Sequence, residues 1–295
     1  MRRCRPLLGT FVEIGARGCD EAKLARGIEA AFDAVADVHR LMSFHDPDSD
    51  VSRMNRDGFR RGIIVHPWTW QVMKAARNFA RESDGAFDVT VAPQLICWHY
   101  LPRRSYGFNS TASWRDIFLR KNCEIFFRRP VIVDLGGIAK GFAVDRAIEA
   151  LKDNAVASGI VNAGGDLRTF GPASQLIHVR HPTKATRVAG VVRLRERAMA
   201  TSGIYFERRK HHAQYVSPLL DGRTGQSARE LISVSVGAAE CMVADALTKI
   251  VFALREKAAG LLTQHQADAL LLERDGASSW TFYSSCDTRD RTRFD

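Results

Sequence analysis

The sequence predicts an α+β (mixed α/β) fold, with mixed, partly antiparallel sheets flanked by helices. Three observations carry this. Segments such as 21–42 repeat apolar residues at helical spacing, and short runs alternate like strands. Several of those strands follow one another directly instead of one per helix, which argues against a regular doubly wound sheet. Glycine-rich and acid-rich loops join them, and no internal repeat, low-complexity tract or interdomain linker interrupts the 295 residues, so 1–295 reads as a single domain.

The elements follow in order. Gly9 to Ile14 alternates as a first strand. In 21–42, Leu24, Ile28, Ala31, Val35, Val38 and Leu41 share one helical face, which marks them as core. Met42 to Asp50 breaks that helix with turn formers. A second helix spans 68–82, with Trp68, Val72, Ala76 and Phe79 inward and Asp84-Gly85 closing it. Residues 99–116 read as loop. Strands are predicted over Asp116–Leu119 and Cys123–Val133, then a turn at Asp134 and a helix from about Phe142 to Lys152. Ser158–Asn162, Ile177–Arg180, Gly190–Leu194 and Ser233–Gly237 are strands; Ala238–Leu254 and the region near Glu256–Gln264 are helices; Ala269–Glu273 and Trp280–Tyr283 close the chain as strands.

A hydrophobic fraction of 45% supports a sizeable core, and no apolar run approaches the roughly 20 residues of a membrane span. The basic N-terminus, Met1 to Pro6, is followed by no signal-peptide apolar region, so the chain as given reads as cytoplasmic, or periplasmic if a leader has been removed. Six cysteines without CxxC or CxxH spacing argue against a zinc site or a disulfide scaffold and for reduced, mostly buried thiols. The net charge of +10 favours an anionic ligand. Its basic residues are dispersed in short clusters such as Arg208-Arg209-Lys210, with no nucleic-acid-binding motif, so nucleic acid is not the expected partner.

The most informative segment is Val133-Asp134-Leu135-Gly136-Gly137-Ile138-Ala139-Lys140-Gly141-Phe142-Ala143. An apolar run delivers an acid into a glycine-dense turn, a lysine follows, and a helix begins. Glycines admit a ligand close to the backbone, and a helix N-terminus favours anions such as pyrophosphate. On its own the segment also reads as a plain strand-to-helix turn with two surface charges. Four further loops have the same character: Asp84 to Thr90, Gly164-Gly165-Asp166, Ala200-Thr201-Ser202-Gly203 and Asp221-Gly222-Arg223-Thr224-Gly225. Each alone is an ordinary turn.

On the helix after Ala238, Asp245, Thr248 and Lys249 share one face. Oxygen ligands at Asp245 and Thr248 could hold magnesium, which takes carboxylates together with phosphate oxygens; the plain alternative is an exposed Asp–Lys pair worth a few tenths of a kcal/mol. Ser202 lies outside any G-x-S-x-G elbow, and neither a Walker A nor a G-x-G-x-x-G pattern is present.

Taken in order, these loops resemble the ApbE family, the FAD:protein FMN transferases. The resemblance runs through Leu8-Gly9-Thr10-Phe11, Met42-Ser43-Phe44, Ser49–Asn55, Asp84–Pro93, Asp134–Asp145, Asn162–Arg168, Ala200–Tyr205, Asp221–Gly225 and Ser233–Asp245, nearly the whole chain. It implies an ApbE-like fold, FAD as substrate with magnesium, and transfer of FMN to a threonine or serine of an acceptor flavoprotein with release of AMP. It further implies FAD contacts at Leu8, Phe44, Ala86, Phe87, Asp88, Asp134, Lys140 and Leu220, and magnesium at the Gly137 carbonyl, Asp245 and Thr248. Lys140 would stabilise charge on the phosphates. The chain departs from the family mildly at Leu8-Gly9-Thr10, where the family opens Met-Gly-Thr, and more seriously at three places. Pro218 stands where the family carries its basic histidine, Gly222 stands where it carries a proline, which is expected to loosen that turn, and Lys249 stands where it carries a threonine after the metal-binding aspartate. Asp221, or His211 or His212 brought in by its loop, is then the expected base. FAD hydrolysis to FMN and AMP, and FAD binding without catalysis, are the alternatives.

Overall fold

A computed structural model describes residues 1–181, 188–204, 208–212, 214–227, 231–273 and 279–283. Tyr205, at the end of the stretch Ala200–Tyr205, and Cys286, one of the six cysteines, lie outside the described residues. The elements run β1 (Arg2–Leu7), β2 (Thr10–Arg17), α1 (Glu21–Met42), α2 (Asp50–Asp57), β3 (Ile63–Ile64), α3 (Pro67–Glu82), α4 (Ala92–Cys97), β4 (Ile117–Leu119), β5 (Glu124–Phe127), α5 (Ala139–Asp153), β6 (Ser158–Ala163), β7 (Asp166–Phe170), β8 (Gln175–Arg180), β9 (Val188–Leu194), β10 (Ala198–Gly203), β11 (Arg209–His211), β12 (Gln214–Val216), β13 (Leu231–Ala238), α6 (Cys241–Leu254), α7 (Ala259–Gln264), β14 (Asp268–Glu273) and β15 (Ser279–Tyr283).

Among the described residues, eight strands form one antiparallel sheet in the order β1-β2-β6-β7-β10-β13-β14-β15. Alternation sorts its side chains to two faces. Val161, Ala163, Ala198, Ala200, Val234 and Val236 face a layer of α1, α5 and α6 in the main core. Ile160, Leu167 and Met199 face the other way and pack under the β8–β9 ribbon with Ile177, Val179, Val192 and Leu194. A small sheet, β3-β5-β4, stands apart from the main one. No helix of the described residues is long and apolar enough to cross a membrane.

Helix α1 buries the face its periodicity marked, with Ile28, Ala31, Val35 and Val38 fully enclosed. It is capped by Asp20, whose carboxylate accepts the Lys23 N–H at 3.0 Å. Helices α5 and α6 meet at Gly141, where a Cβ would run into the Cys241 carbonyl and lie 2.8 Å from the Asp245 Cβ. Helix α6 has no cap of its own, since the Glu240 side chain makes no such bond. Asp145 of α5 supplies it, accepting the Cys241 N–H at 2.9 Å and the Met242 N–H at 2.8 Å, with Arg168 of β7 on the same carboxylate at 2.6 Å.

Several expectations change. The strand expected over Cys123–Val133 exists only as Glu124–Phe127. Val131–Val133 is buried, yet no strand among the described residues pairs with it: the Asn55 side-chain amide donates to the Val133 carbonyl at 2.9 Å and accepts its N–H at 2.8 Å. Helix α5 begins at Ala139, ahead of Phe142, which puts Lys140 in its first turn. Ala200–Gly203 is not a loop but part of β10, because β13 pairs along its whole length. Helix α6 starts at Cys241, since Ala238 still pairs in β13. The thiols are not mostly buried: Cys4, Cys19 and Cys97 are exposed, Cys123 is intermediate and Cys241 alone of these five is buried, all of them free.

Candidate functional site

The segment Asp134–Lys140 forms one wall of a large cavity. The Asn55 clamp fixes Val133, and the Asp134 N–H donates to the Val89 carbonyl at 2.8 Å. The Asp134 carboxylate accepts the Gly136 N–H at 3.2 Å. Burial pushes its pKa up, against the pull of that N–H and of His45. Gly136, Gly137 and Lys140 follow on the same wall.

The remaining loops arrive from other elements. Leu8 and Gly9, at φ 55° and 70°, make the left-handed hairpin turn between β1 and β2 that carries Leu8 to the cavity. Phe44, just past α1, stands edge-on to Tyr106. The Ser83 hydroxyl accepts the Phe87 N–H at 3.1 Å and holds the Ala86-Phe87-Asp88 turn. Asp88 accepts N–H groups from Thr90 at 2.9 Å and Trp114 at 3.3 Å, and burial raises its pKa. Leu220, with Pro218 and Leu219, comes from the segment after β12.

The cavity encloses about 1580 Å³. Leu8, Phe44, Ala86, Phe87, Asp88, Asp134, Gly137, Lys140 and Leu220 all line it. That volume exceeds the usual pocket for a small ligand, about 300–1,000 Å³, and suits an extended dinucleotide. Asp245 and Thr248 lie behind the wall with no exposure. Asp221 is not brought to the cavity. Its carboxylate is gripped by Arg223 at 2.6 and 2.9 Å, which makes it an anchor of its own turn. His211 and His212 also stay off the wall; His211 sits 3.9 Å from the Cys97 sulfur.

Residues outside the expected contact set complete the electrostatics. The Lys140 ammonium is bonded to Asp166, the first residue of β7, delivered by the Gly164-Gly165 turn with φ of 65° and 103°. The Asp166 side chain is fully buried, and its Oδ1 has no hydrogen-bond partner among the described residues. Burial, reinforced by Asp245, raises its pKa, while Lys140 and Lys249 pull the other way. The same acids push Lys140 up despite its desolvation. His45 and Lys249 also line the cavity. The turn sequence Gly164-Gly165-Asp166 was the available signal for Asp166; nothing in the sequence pointed to His45.

The donor set proposed for magnesium does not fit that ion. The Lys249 ammonium is bonded to Asp245 Oδ1 and donates to the Asp245 carbonyl at 3.1 Å. Asp245 Oδ2 accepts the Gly141 N–H at 3.0 Å. The Thr248 hydroxyl donates to the same carbonyl at 2.7 Å and shares a bond with Ser202 at 2.8 Å. A divalent ion within ~4 Å of the ammonium would meet a repulsion of about 8 kcal/mol at an effective dielectric of ~20. No group of three or more His, Cys, Asp or Glu side chains among the described residues could hold a metal.

The sequence model of the ApbE family matches residues 8–271. The chain belongs to the ApbE family. It is 30% identical to the FAD:protein FMN transferase of Haemophilus influenzae, over 83% of this chain and 77% of that one. A Klebsiella pneumoniae protein of the same name is 26% identical over 91% and 88%. The crystal structure of the ApbE protein from Thermotoga maritima superposes with a TM-score of 0.83 at 28% identity, covering 95% of this chain and 96% of that one. The flavin transferase ApbE from Vibrio cholerae, at 24% identity and a TM-score of 0.79, shares the fold.

Within this ApbE member the expected loosening at Gly222 is not found. The Gly222 N–H donates to the Ala86 carbonyl at 3.0 Å, and a Cβ there would collide with the Gly85 carbonyl and stand 2.7 Å from the Asp88 Cβ. Glycine docks this turn tightly onto the Ala86–Asp88 wall. Gly222→Ala is expected to cost about 1–3 kcal/mol, as overpacking does, and to weaken flavin binding by displacing Phe87. Urea unfolding and an FAD titration on the same variant check this.

Proposed function

We propose that this chain binds FAD in the 1580 Å³ cavity and transfers its FMN half to a threonine or serine hydroxyl of an acceptor flavoprotein, releasing AMP. The observation that carries this reading is the convergence on one cavity of every FAD-contact residue implied by the family resemblance, from five separate stretches of chain. The names of the relatives, FAD:protein FMN transferase, support the same reaction.

In that reaction the acceptor oxygen attacks the FMN phosphorus, the bond to the bridging oxygen breaks, and AMP leaves with that oxygen. Catalysis then consists of positioning and charge stabilisation. Lys140 offers the cation for the departing phosphate. The hydroxyl proton needs an acceptor, and Pro218, on the cavity wall, has no group that takes one. Asp134 and Asp88 line the cavity and have pKa values raised by burial, which suits proton uptake better than the Arg223-bound Asp221. Asp245 has no carboxylate oxygen left for magnesium, since Lys249 and the Gly141 N–H already take both.

Pro218 favours a second reading, in which FAD is bound but not transferred. Incubation with FAD and a threonine-bearing acceptor protein separates them. FMN-labelled acceptor by intact mass, with stoichiometric AMP, is the expected result. AMP without labelling would identify a hydrolase, and stable FAD binding without AMP a binding protein.

A further inference from the structure

We infer that the ammonium of Lys249 is the resident cation of this site, standing on Asp245 in place of a divalent metal, so that Lys249 and Lys140 together bind the FAD pyrophosphate without a metal ion. The inference rests on the reading of the cavity as an FAD site.

The charged groups are layered. Asp166 and Asp245 are buried completely, whereas Lys140 and Lys249, with side chains 34% and 16% exposed, stand in front of them and line the cavity. A ligand therefore meets the two ammonium groups and not the carboxylates. Two of the three donors of the Lys249 ammonium go to Asp245, one to Oδ1 and one to the carbonyl, which leaves one for a ligand. The lysine stem runs beside the glycine-rich loop: its Cε lies 3.7 Å from where a Gly137 Cβ would stand, with the Phe87 ring 3.4 Å away. The head is thus held where that loop admits close approach of an anion. A pyrophosphate diester carries two negative charges, and two fixed ammonium groups match them. Asp245 acts here through Lys249, as a positioning residue. A tethered cation need not be recruited from solution, so binding becomes independent of metal concentration.

The test is an FAD fluorescence titration of the intact wild-type chain in EDTA and in magnesium, with a manganese titration followed by electron paramagnetic resonance in the absence of FAD. The expected result is the same FAD affinity within about twofold in both buffers and no saturable manganese binding. Lys249→Thr is expected to bind FAD about tenfold or more weakly in EDTA and to recover with magnesium. Affinity that rises about tenfold with magnesium in the wild type, saturable manganese binding, or a Lys249→Thr variant that binds FAD normally in EDTA would each overturn the inference while leaving the FAD site standing. Absence of FAD binding in both buffers would overturn the FAD site and the inference with it. Circular dichroism melts establish that the variant folds, and the wild-type comparison decides the question even if it does not.

Discussion

Asp145→Ala is expected to unfold this protein at a markedly lower urea concentration, with a loss of about 3–5 kcal/mol, the cost of removing one partner from a buried ion pair. The carboxylate is nearly enclosed and does three things at once. It caps the N-terminus of α6 through the Cys241 and Met242 N–H groups, neutralises the half-buried Arg168 guanidinium of β7, and ties α5 to both. Alanine leaves two helix-end donors and a cation without their acceptor. Asp145→Asn keeps one acceptor oxygen, for the Cys241 or the Met242 N–H but not both, and carries no charge for Arg168; its loss should be smaller than that of alanine. Since α6 also carries Asp245 and Lys249, FAD affinity should fall in Asp145→Ala before the chain melts. A variant as stable as wild type would show that Glu240 or water takes over the cap.

How much of this was legible in the sequence depends on which force sets each element. Helix α1 was legible because a single buried stripe dictates it, from Leu24 to Leu41. The Asp134–Lys140 loop was legible because the backbone itself demands its glycines. Strand β1 was missed: Arg2, Arg3 and Arg5 look like a solvated tail, but the strand lies at the sheet edge, where Arg3 and Arg5 reach Glu29 of α1 and Arg5 covers the Phe32 ring. Strand β10 was missed because Ala-Thr-Ser-Gly has turn composition and is held extended by its pairing with β13. Helix α2 is short and polar; its buried Asp50 is satisfied by the distant Thr69 hydroxyl and His66 N–H, both at 2.8 Å. The Asp245–Lys249 spacing was plain, but whether such a pair is a surface ornament or the floor of a site depends on burial. Burial comes from α5 pressing on α6 at Gly141.

Lys140→Met is the variant that should separate folding from binding most sharply. Methionine keeps the length and the apolar stem and removes only the charge. Asp166 then stays buried with Oδ1 unpartnered as before and its bond to Lys140 gone. The expected loss at neutral pH is about 3 kcal/mol, the low end for a broken buried pair, because a third of the Lys140 side chain is open to the cavity. The pH dependence identifies the cause. Burial already holds the folded pKa of Asp166 above its ordinary value, and loss of Lys140, which pulls it down, raises it further. A carboxyl whose folded pKa is raised is fully compatible with the fold when protonated, so the deficit should be smallest below about pH 4, where the unfolded carboxyl is also protonated. It should grow as the pH rises through the folded pKa and the charge must be buried unpaired. A deficit that stays constant across that range would mean the stem of Lys140 and not its charge holds the site. FAD affinity tells the same story from the ligand's side. With one of the two cations gone, binding should fall by about 1.5–3 kcal/mol, the worth of a charge-assisted hydrogen bond, and acidification should not restore it, because a neutral Asp166 supplies no cation to the cavity. Stability that recovers at low pH while flavin binding does not would assign Lys140 its two separate tasks: counter-charge to Asp166 inside the fold, and cation toward the pyrophosphate outside it.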